Sequence, residues 1–154
     1  MLSNNFNVAK ACIKGGKMFP NINGIVTFKD VNGGVILTAQ INGLPQSKDS
    51  CKGRFFGFHI YEGASCTGNQ KDEFADAKTH YNPTNCPHPY HSGDLPPLLE
   101  NNGYAYISIF LNKFRVNDII GKVIIIHDMP DDFTTQPSGD SGTKIACGEI
   151  KRVF

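Results

Sequence analysis

Short segments rich in β-branched and aromatic residues, separated by turn signals, constrain the fold of this chain more than any other feature. Asn-Gly, Gly-Gly and Gly-Leu-Pro sequences stand between the segments, and DVNGGV favours a tight hairpin turn. We find no convincing helical pattern, and the pattern as a whole predicts an all-β sandwich or barrel. The segments are 8–13, 24–29, 34–41, 55–61, 104–111, 122–127 and 144–150.

Composition narrows the class of protein. The chain has 154 residues, 40% of them hydrophobic, which suits one domain spanning 1–154. A net charge of +1 gives no indication of binding to nucleic acid or to an anionic membrane. The apolar runs are too short to span a bilayer, and the start of the sequence lacks the pattern of a signal peptide. We therefore expect a cytoplasmic protein, with an exported and trimmed form left open.

The segment FFGFHIY places different residue types on its two faces. Because side chains alternate along a strand, Phe56, Phe58 and Ile60 share one face, and His59 and Tyr61 share the other. The first set is typical of a hydrophobic core. The second set puts an imidazole and a phenol side by side on the opposite face, just before a Gly-Ala-Ser turn.

Three of the five histidines lie in one long polar loop. His80, His88, His91 and Asp94 follow one another in a stretch rich in proline, which excludes a helix and makes the loop stiff enough to fold around a point. Three imidazoles and one carboxylate form a closed tetrahedral zinc set. The alternative is that these are exposed loop histidines and that the aspartate is a turn residue.

The other two histidines belong to predicted strands. His59 faces away from the core, and His127 ends an apolar run where a strand would enter a loop. Each could be a half-buried histidine at the edge of a barrel. Together with the loop cluster they indicate a second metal position, for which imidazole suits copper and zinc equally.

Five sequence blocks together resemble the copper/zinc superoxide dismutases: GFHIYEGASC, THYNP, HPYHSGDL, IIIHDMPDDF and SGDSGTKIACGEI. Their order and spacing match the family from about Val8 onwards, and the short loop after His127 is more similar to the bacterial branch. The resemblance implies an eight-stranded Greek-key β-barrel of the immunoglobulin-like sandwich type. The two long loops, 66–102 and 128–143, would form the walls of the metal site.

The resemblance also implies metal roles. His80 would bridge zinc and copper, and Asp131 would accept hydrogen bonds from His59 and His88 and so fix both rings. The remaining ligands would be His88, His91 and Asp94 for zinc, and His59 and His127 for copper.

The cysteines carry a further implication of the resemblance. Cys66 and Cys147 match the family's disulfide, which would stabilise the chain by roughly 2–4 kcal/mol, although Cys66 could also be a free buried thiol. Cys12 is expected to stay reduced. Cys51 and Cys86 could form a second bridge, on which the resemblance is silent.

Tyr61 departs from the family, which has histidine at both strand positions. Dismutation requires a metal that accepts an electron from one superoxide and returns it to another, and imidazoles tolerate both copper oxidation states. A phenol titrates near pH 10, and a phenolate would favour the oxidised ion. Tyr61 is therefore either an unusual fourth copper ligand, a neutral group beside a three-imidazole set, or a strand tyrosine packed at the mouth of the barrel.

Lys144 is a second departure. It stands where the family places an arginine that holds superoxide, and a lysine supplies the charge without the planar two-donor fork. The alternative is a solvated surface lysine. Superoxide is the expected small substrate, and a homodimer is left open.

Three hypotheses follow. The leading one is an antioxidant oxidoreductase of the superoxide dismutase type with an intact zinc site, weak copper binding, and weak or lost activity. The second is a competent dismutase that uses three histidines for copper, with Tyr61 as a further ligand. The third is a zinc-stabilised, non-catalytic domain that binds copper or a protein partner.

Zinc is expected to bind only the folded protein, because the four ligands come together only on folding. Adding zinc to metal-free protein should therefore raise the melting temperature strongly in a thermal unfolding assay. A chelator that removes the metal without lowering that temperature would contradict the zinc assignment.

Overall fold

The computed structural model of the chain describes residues 6–49, 51 and 54–154. Within these ranges the protein is all-β, as predicted, apart from a short helix α1 (Val116–Ile119) and one 3-10 turn (Ala75–Ala77). No helix in the described ranges is long and apolar enough to cross a membrane. The nine strands in the same ranges are β1 (Val8–Gly15), β2 (Asn23–Val31), β3 (Gly34–Asn42), β4 (Phe55–Phe56), β5 (Phe58–Tyr61), β6 (Leu98–Leu99), β7 (Ala105–Leu111), β8 (Val123–His127) and β9 (Lys144–Val153).

Seven strands form one curled antiparallel sheet in the order β5-β8-β9-β1-β2-β3-β7, and β4 pairs with β6 in a small second sheet. The predicted strand 55–61 is interrupted at Gly57, whose N–H donates to the carbonyl of Met129. Its first half therefore belongs to the small sheet and its second half to the edge of the large one. Counted as a single strand that joins both sheets, it gives the eight strands expected for the Greek-key fold.

The alternation predicted for 55–61 is confirmed on its inner face. Phe56, Phe58 and Ile60 are buried in the main hydrophobic core together with residues from most other strands. His59 and Tyr61 point the other way, yet they are also buried. The outer face of this strand is therefore covered rather than solvated.

The two long loops provide that cover. Tyr61 packs in a small apolar cluster with Phe74 and Ala77 of the first loop and with Val123, Ile125 and Cys147 of the neighbouring strands. The side-chain amide of Gln136, in the second loop, donates to the carbonyl of His88 and accepts from its N–H, at 2.7 and 2.9 Å. The loops are thus fastened to the sheet and to each other.

A disulfide between Cys66 and Cys147 ties the first loop to β9, and this prediction is confirmed. The bond joins positions separated by 81 residues, with a Cα–Cα distance of 5.7 Å. Cys12, Cys51 and Cys86 are free. The second bridge that sequence left open between Cys51 and Cys86 is therefore not formed in this structure.

Replacing both Cys66 and Cys147 by serine should lower the free energy of unfolding by about 2–5 kcal/mol, because the bridge restricts a long loop in the unfolded chain. Urea unfolding of the metal-free protein measures this cost. Cys86→Ser, which removes a free thiol from the same loop, is the matched control and should leave stability within about 0.5 kcal/mol of the parent. Equal stabilities for the double variant and the control would contradict a structural role for the bridge.

Candidate metal centre

The predicted ligands converge on the outer face of β5. The first loop runs antiparallel along this strand, with bridge pairings of His59 with Asp94 and of Tyr61 with His80. His127, at the end of β8, lies beside them because β8 is the neighbouring strand in the sheet. All five histidines of the chain are buried in this region.

The loop cluster surrounds one carboxylate. The Nδ1 atoms of His80, His88 and His91 lie 2.7, 3.1 and 3.2 Å from the carboxylate oxygens of Asp94. The Nδ1 atoms of His80 and His91 are 3.3 Å apart. One nitrogen from each of three rings and one carboxylate oxygen thus face a common point, as the zinc prediction requires.

The hydrogen-bond donors and acceptors in this cluster leave a site that suits a cation. The Nε2–H of His88 donates to Asp131 Oδ1 at 2.9 Å, so in the neutral ring Nδ1 carries a lone pair. That lone pair lies close to Asp94 without the geometry of a hydrogen bond and has no other partner. A buried lone pair facing a carboxylate is costly unless a positive ion lies between them. The residues present therefore fit a zinc ion.

Asp131 fixes two rings at once. Its Oδ2 accepts from His59 Nε2–H at 2.8 Å, and its Oδ1 accepts from His88. Burial works to raise the pKa of Asp131, but the bonds from His59, the Phe133 backbone and His88 outweigh it and lower the pKa to about 2. The carboxylate stays ionised, so both rings turn their Nδ1 atoms inward.

A second group of histidines shares one member with the first. His59, His80 and His127 offer ligand atoms that lie within 4.8 Å of one another. In the described residues, His59 Nδ1 and His80 Nε2 are buried without any hydrogen-bond partner. His80 thus presents one nitrogen to each group, as expected of a bridging ligand.

The third histidine of this second group is already engaged. The Nδ1–H of His127 donates to the carbonyl of Gly142 at 3.2 Å, which leaves Nε2 as an acceptor. The Tyr61 hydroxyl lies 2.9 Å from that Nε2 and donates a hydrogen bond to it. The His127 nitrogen that would bind a metal is therefore occupied by the hydrogen bond from Tyr61.

The surroundings keep both partners of this hydrogen bond, the Tyr61 phenol and the His127 imidazole, uncharged. Burial, followed by the charges of Asp72 and Asp94, raises the pKa of the Tyr61 phenol above its ordinary value. Burial, followed by the neighbouring His59, lowers the pKa of His127 to about 3. A neutral phenol thus donates to a neutral imidazole over the whole physiological pH range. This arrangement opposes the phenolate ligand considered from sequence.

Lys144 lines the same cavity of about 510 Å³ as Tyr61, His80 and His127. Its ammonium group is not free, because it bonds to Asp72 Oδ2 at 2.6 Å and to the carbonyl of Phe74 at 3.3 Å. The side chain is 16% exposed, which argues against the solvated alternative.

Two contacts of the site were not anticipated from sequence. Asp72 has no feature that separates it from Asp76 nearby, which bonds instead to Thr67. Gln136 holds the two loops together through backbone atoms, and no motif marks it. The only available signal was their position in loops that were expected to be functional.

The fold and the shared histidine define a class of protein. The family model for copper/zinc superoxide dismutase matches residues 22–150, and the chain belongs to this family. The family uses copper and zinc, consistent with the two groups of ligands described above.

The relatives include both dismutases and dismutase-like proteins. The chain is 35% identical over 114 residues to the superoxide dismutase-like protein YojM of Bacillus subtilis, a match that covers 64% of this chain and 56% of that protein. It is 34% identical over 136 residues to the copper/zinc superoxide dismutase of Legionella pneumophila, covering 83% of this chain and 77% of that one. The match to YojM therefore spans little more than half the length of that relative.

A solved structure shares the fold. It is that of a superoxide dismutase-like protein from Bacillus subtilis, crystallised as a double mutant in which a tyrosine and a proline are each replaced by histidine. The TM-score is 0.73 at 29% identity, covering 90% of this chain and 94% of that chain.

Asp131→Asn should weaken zinc binding by about 10–100-fold. The amide oxygen can accept a hydrogen bond from one histidine ring, but the amide NH₂ cannot accept one from the other, so one of His59 and His88 loses its orientation. Competition with a chromophoric zinc chelator measures the affinity. The matched control is Asp132→Asn, since Asp132 bonds only within its own loop, to Thr134 and Thr135. If the two variants bind zinc equally well, Asp131 does not orient the ligands.

Proposed function

We propose that this chain is a single superoxide dismutase-like, metal-binding domain in which zinc binds well and copper binds weakly. Zinc would be held by His80, His88, His91 and Asp94, and copper by His59, His80 and His127. Dismutation of superoxide would then be weak or lost. The observation that carries the proposal is the hydrogen bond from the Tyr61 hydroxyl to His127 Nε2.

The zinc half of the proposal is supported by a closed ligand set. His80, His91 and Asp94 converge with His88 Nδ1, whose lone pair has no other partner. Zinc there would join three points of the first loop and, through His80 and Asp131, hold that loop against β5. Its role would be structural, because a set of four protein ligands leaves no open position for a substrate.

The ligand set proposed for copper is incomplete. Copper, when bound, would supply the electron transfer that dismutation needs, and its ligands must suit both oxidation states. His59 and His80 offer bare nitrogens, whereas His127 must first release Tyr61. Leaving the buried phenol without its acceptor costs about 1–3 kcal/mol, which weakens copper binding by about one to two orders of magnitude.

The attraction of superoxide would also be reduced. Lys144 stands where the family's arginine would meet the anion, but Asp72 pairs with its ammonium group at 2.6 Å. Part of the positive charge at the cavity is thereby cancelled. Superoxide remains the proposed small substrate, and a homodimer remains a prediction from the family resemblance.

A second candidate function is supported by the two bare nitrogens. His59 Nδ1 and His80 Nε2 could hold copper without His127, in a site that binds the ion but does not cycle it. The chain would then be a zinc-stabilised, non-catalytic domain that stores copper or delivers it to a partner protein.

Tyr61→His should restore a fourth imidazole and remove the bond that occupies His127. We expect much tighter copper binding and at least a tenfold gain in dismutase activity, which corresponds to about 1.4 kcal/mol or more in the transition state. Copper affinity by competition titration and superoxide consumption on the zinc-loaded protein are the two measurements.

Two further variants serve as controls. Tyr61→Phe removes only the hydroxyl, so it should tighten copper binding without adding a ligand and fall between the parent and Tyr61→His. His127→Ala, added to Tyr61→His, should abolish the gain. A parent that consumes superoxide as fast as Tyr61→His would show that the tyrosine is no impediment. Tight copper binding in Tyr61→His without any gain in activity would favour the non-catalytic function.

A further inference from the structure

A second cavity brings three cysteines together away from the metal centre. It has a volume of about 520 Å³ and lies over the outer face of β1 and β9. Cys12, Cys66 and Cys147 all line it. A free, exposed thiol thus shares a cavity with both halves of the disulfide.

Strand register places the free thiol next to the bridge. Lys14 of β1 is paired with Cys147 of β9, and Cys12 lies two residues before Lys14, on the same face of the sheet. Such diagonal neighbours have Cα atoms about 7–8 Å apart, with their side chains somewhat closer. This distance exceeds the Cα separation of about 4.4–6.8 Å that a disulfide usually spans, so two strand residues with fixed positions cannot bond directly there.

Cys66 is not fixed in this way. It lies in the loop after β5, half-buried, and borders the same cavity as Cys12. A loop residue can move toward Cys12 without disturbing the pairing of β1 and β9. Of the two sulfurs in the bridge, that of Cys66 is therefore the less constrained against moving toward Cys12.

We propose that Cys12 exchanges with the Cys66–Cys147 disulfide. The Cys12 thiolate attacks Cys66 Sγ, the Cys12–Cys66 bond forms, and the Cys66–Cys147 bond breaks. The electron pair leaves with Cys147 Sγ, which takes up the proton that Cys12 gave up. One thiol and one disulfide are present before and after, so the step needs no external oxidant or reductant.

The charges around the cavity suit this chemistry. The negative charge passes from one sulfur to another during exchange, and nearby cations stabilise it. Glu149 is paired with Lys151 at 3.1 Å, and Glu73 accepts from the backbone N–H of Lys17. The charged side chains that line the cavity are Lys10, Lys14, Glu73, Glu149, Lys151 and Arg152.

Exchange would change the packing around Tyr61. Cys147 is buried against Tyr61, Phe74 and Ala77, and Cys66 packs on the same cluster. Moving Cys66 to Cys12 detaches the start of the first loop from β9, next to the segment whose Asp72 holds Lys144. Which cysteines are bonded therefore affects the residues that surround His127. The exchange itself requires neither bound metal nor dismutase activity.

The test is disulfide mapping of the intact protein after incubation without added thiol at about pH 8.5, where an ordinary thiol is substantially ionised. Free cysteines are then alkylated at low pH, and the peptides are identified by mass spectrometry. Alkylation of Cys12 should fall while that of Cys147 rises by the same amount, with a Cys12–Cys66 peptide in proportion. The exchanged fraction should not depend on protein concentration.

Matched variants make the result decisive. Cys12→Ser should retain only the Cys66–Cys147 bond, and Cys86→Ser should exchange like the parent. Cys147→Ser leaves Cys12 and Cys66 free, and oxidised glutathione should link them within one chain. The proposal is overturned if the parent keeps Cys12 fully alkylated at every time point, if Cys12→Ser exchanges as the parent does, or if a folded Cys147→Ser forms no Cys12–Cys66 bond.

Discussion

A single carboxylate, that of Asp131, determines which nitrogen atoms of two histidines face the interior of the metal centre. It accepts one hydrogen bond from His59 on a strand and one from His88 in a loop, at 2.8 and 2.9 Å. Both rings consequently turn a bare nitrogen inward, and neither nitrogen has a hydrogen-bond partner among the residues that the structure describes. Since buried lone pairs are costly, the loop, the strand and the aspartate are arranged for ions that the protein must bind.

The same reasoning separates the two halves of the centre. In the loop cluster, each inward nitrogen and the Asp94 carboxylate face one point, and no group among the described residues satisfies them jointly. In the second group, of His59, His80 and His127, the Nε2 atom of His127 accepts a hydrogen bond from the Tyr61 hydroxyl. Burial keeps that phenol protonated, and its aromatic ring is packed by the segment that the Cys66–Cys147 bridge holds in place. The family fold is therefore retained, while one ligand nitrogen of the second histidine group is occupied by a hydrogen bond.

Much of this organisation could be predicted from sequence because it rests on local patterns. Alternation assigned Phe58 to the core and His59 to the opposite face, and the spacing of the loop histidines indicated a common point. The break at Gly57 was not predictable, since Phe55–Phe56 and Phe58–Tyr61 read as one strand until their partners are known. The two-residue strand β6 was missed because it follows two prolines and is too short to alternate.

Side-chain partners were the least predictable part. Lys144 lines the cavity, and its pairing with Asp72 depends on how the first loop folds back over β9. The contact between Tyr61 and His127 joins residues separated by 66 positions on neighbouring strands. Sequence marked both residues as candidates for the second metal position, whereas the hydrogen bond between them required the three-dimensional structure.

In the zinc-loaded protein, we expect the Tyr61 hydroxyl to remain hydrogen-bonded to His127 Nε2. Nitrogen-15 NMR of the histidine rings during titration with Cu(I), which is diamagnetic, tests it most directly. At one equivalent of copper, most of the His127 Nε2 signal should remain at the position of a hydrogen-bond acceptor, and it should reach a metal-bound position, together with His59 and His80, only with excess copper. A shift of His127 Nε2 to a metal-bound position at the first equivalent, together with loss of the Tyr61 hydroxyl hydrogen bond, would contradict the account.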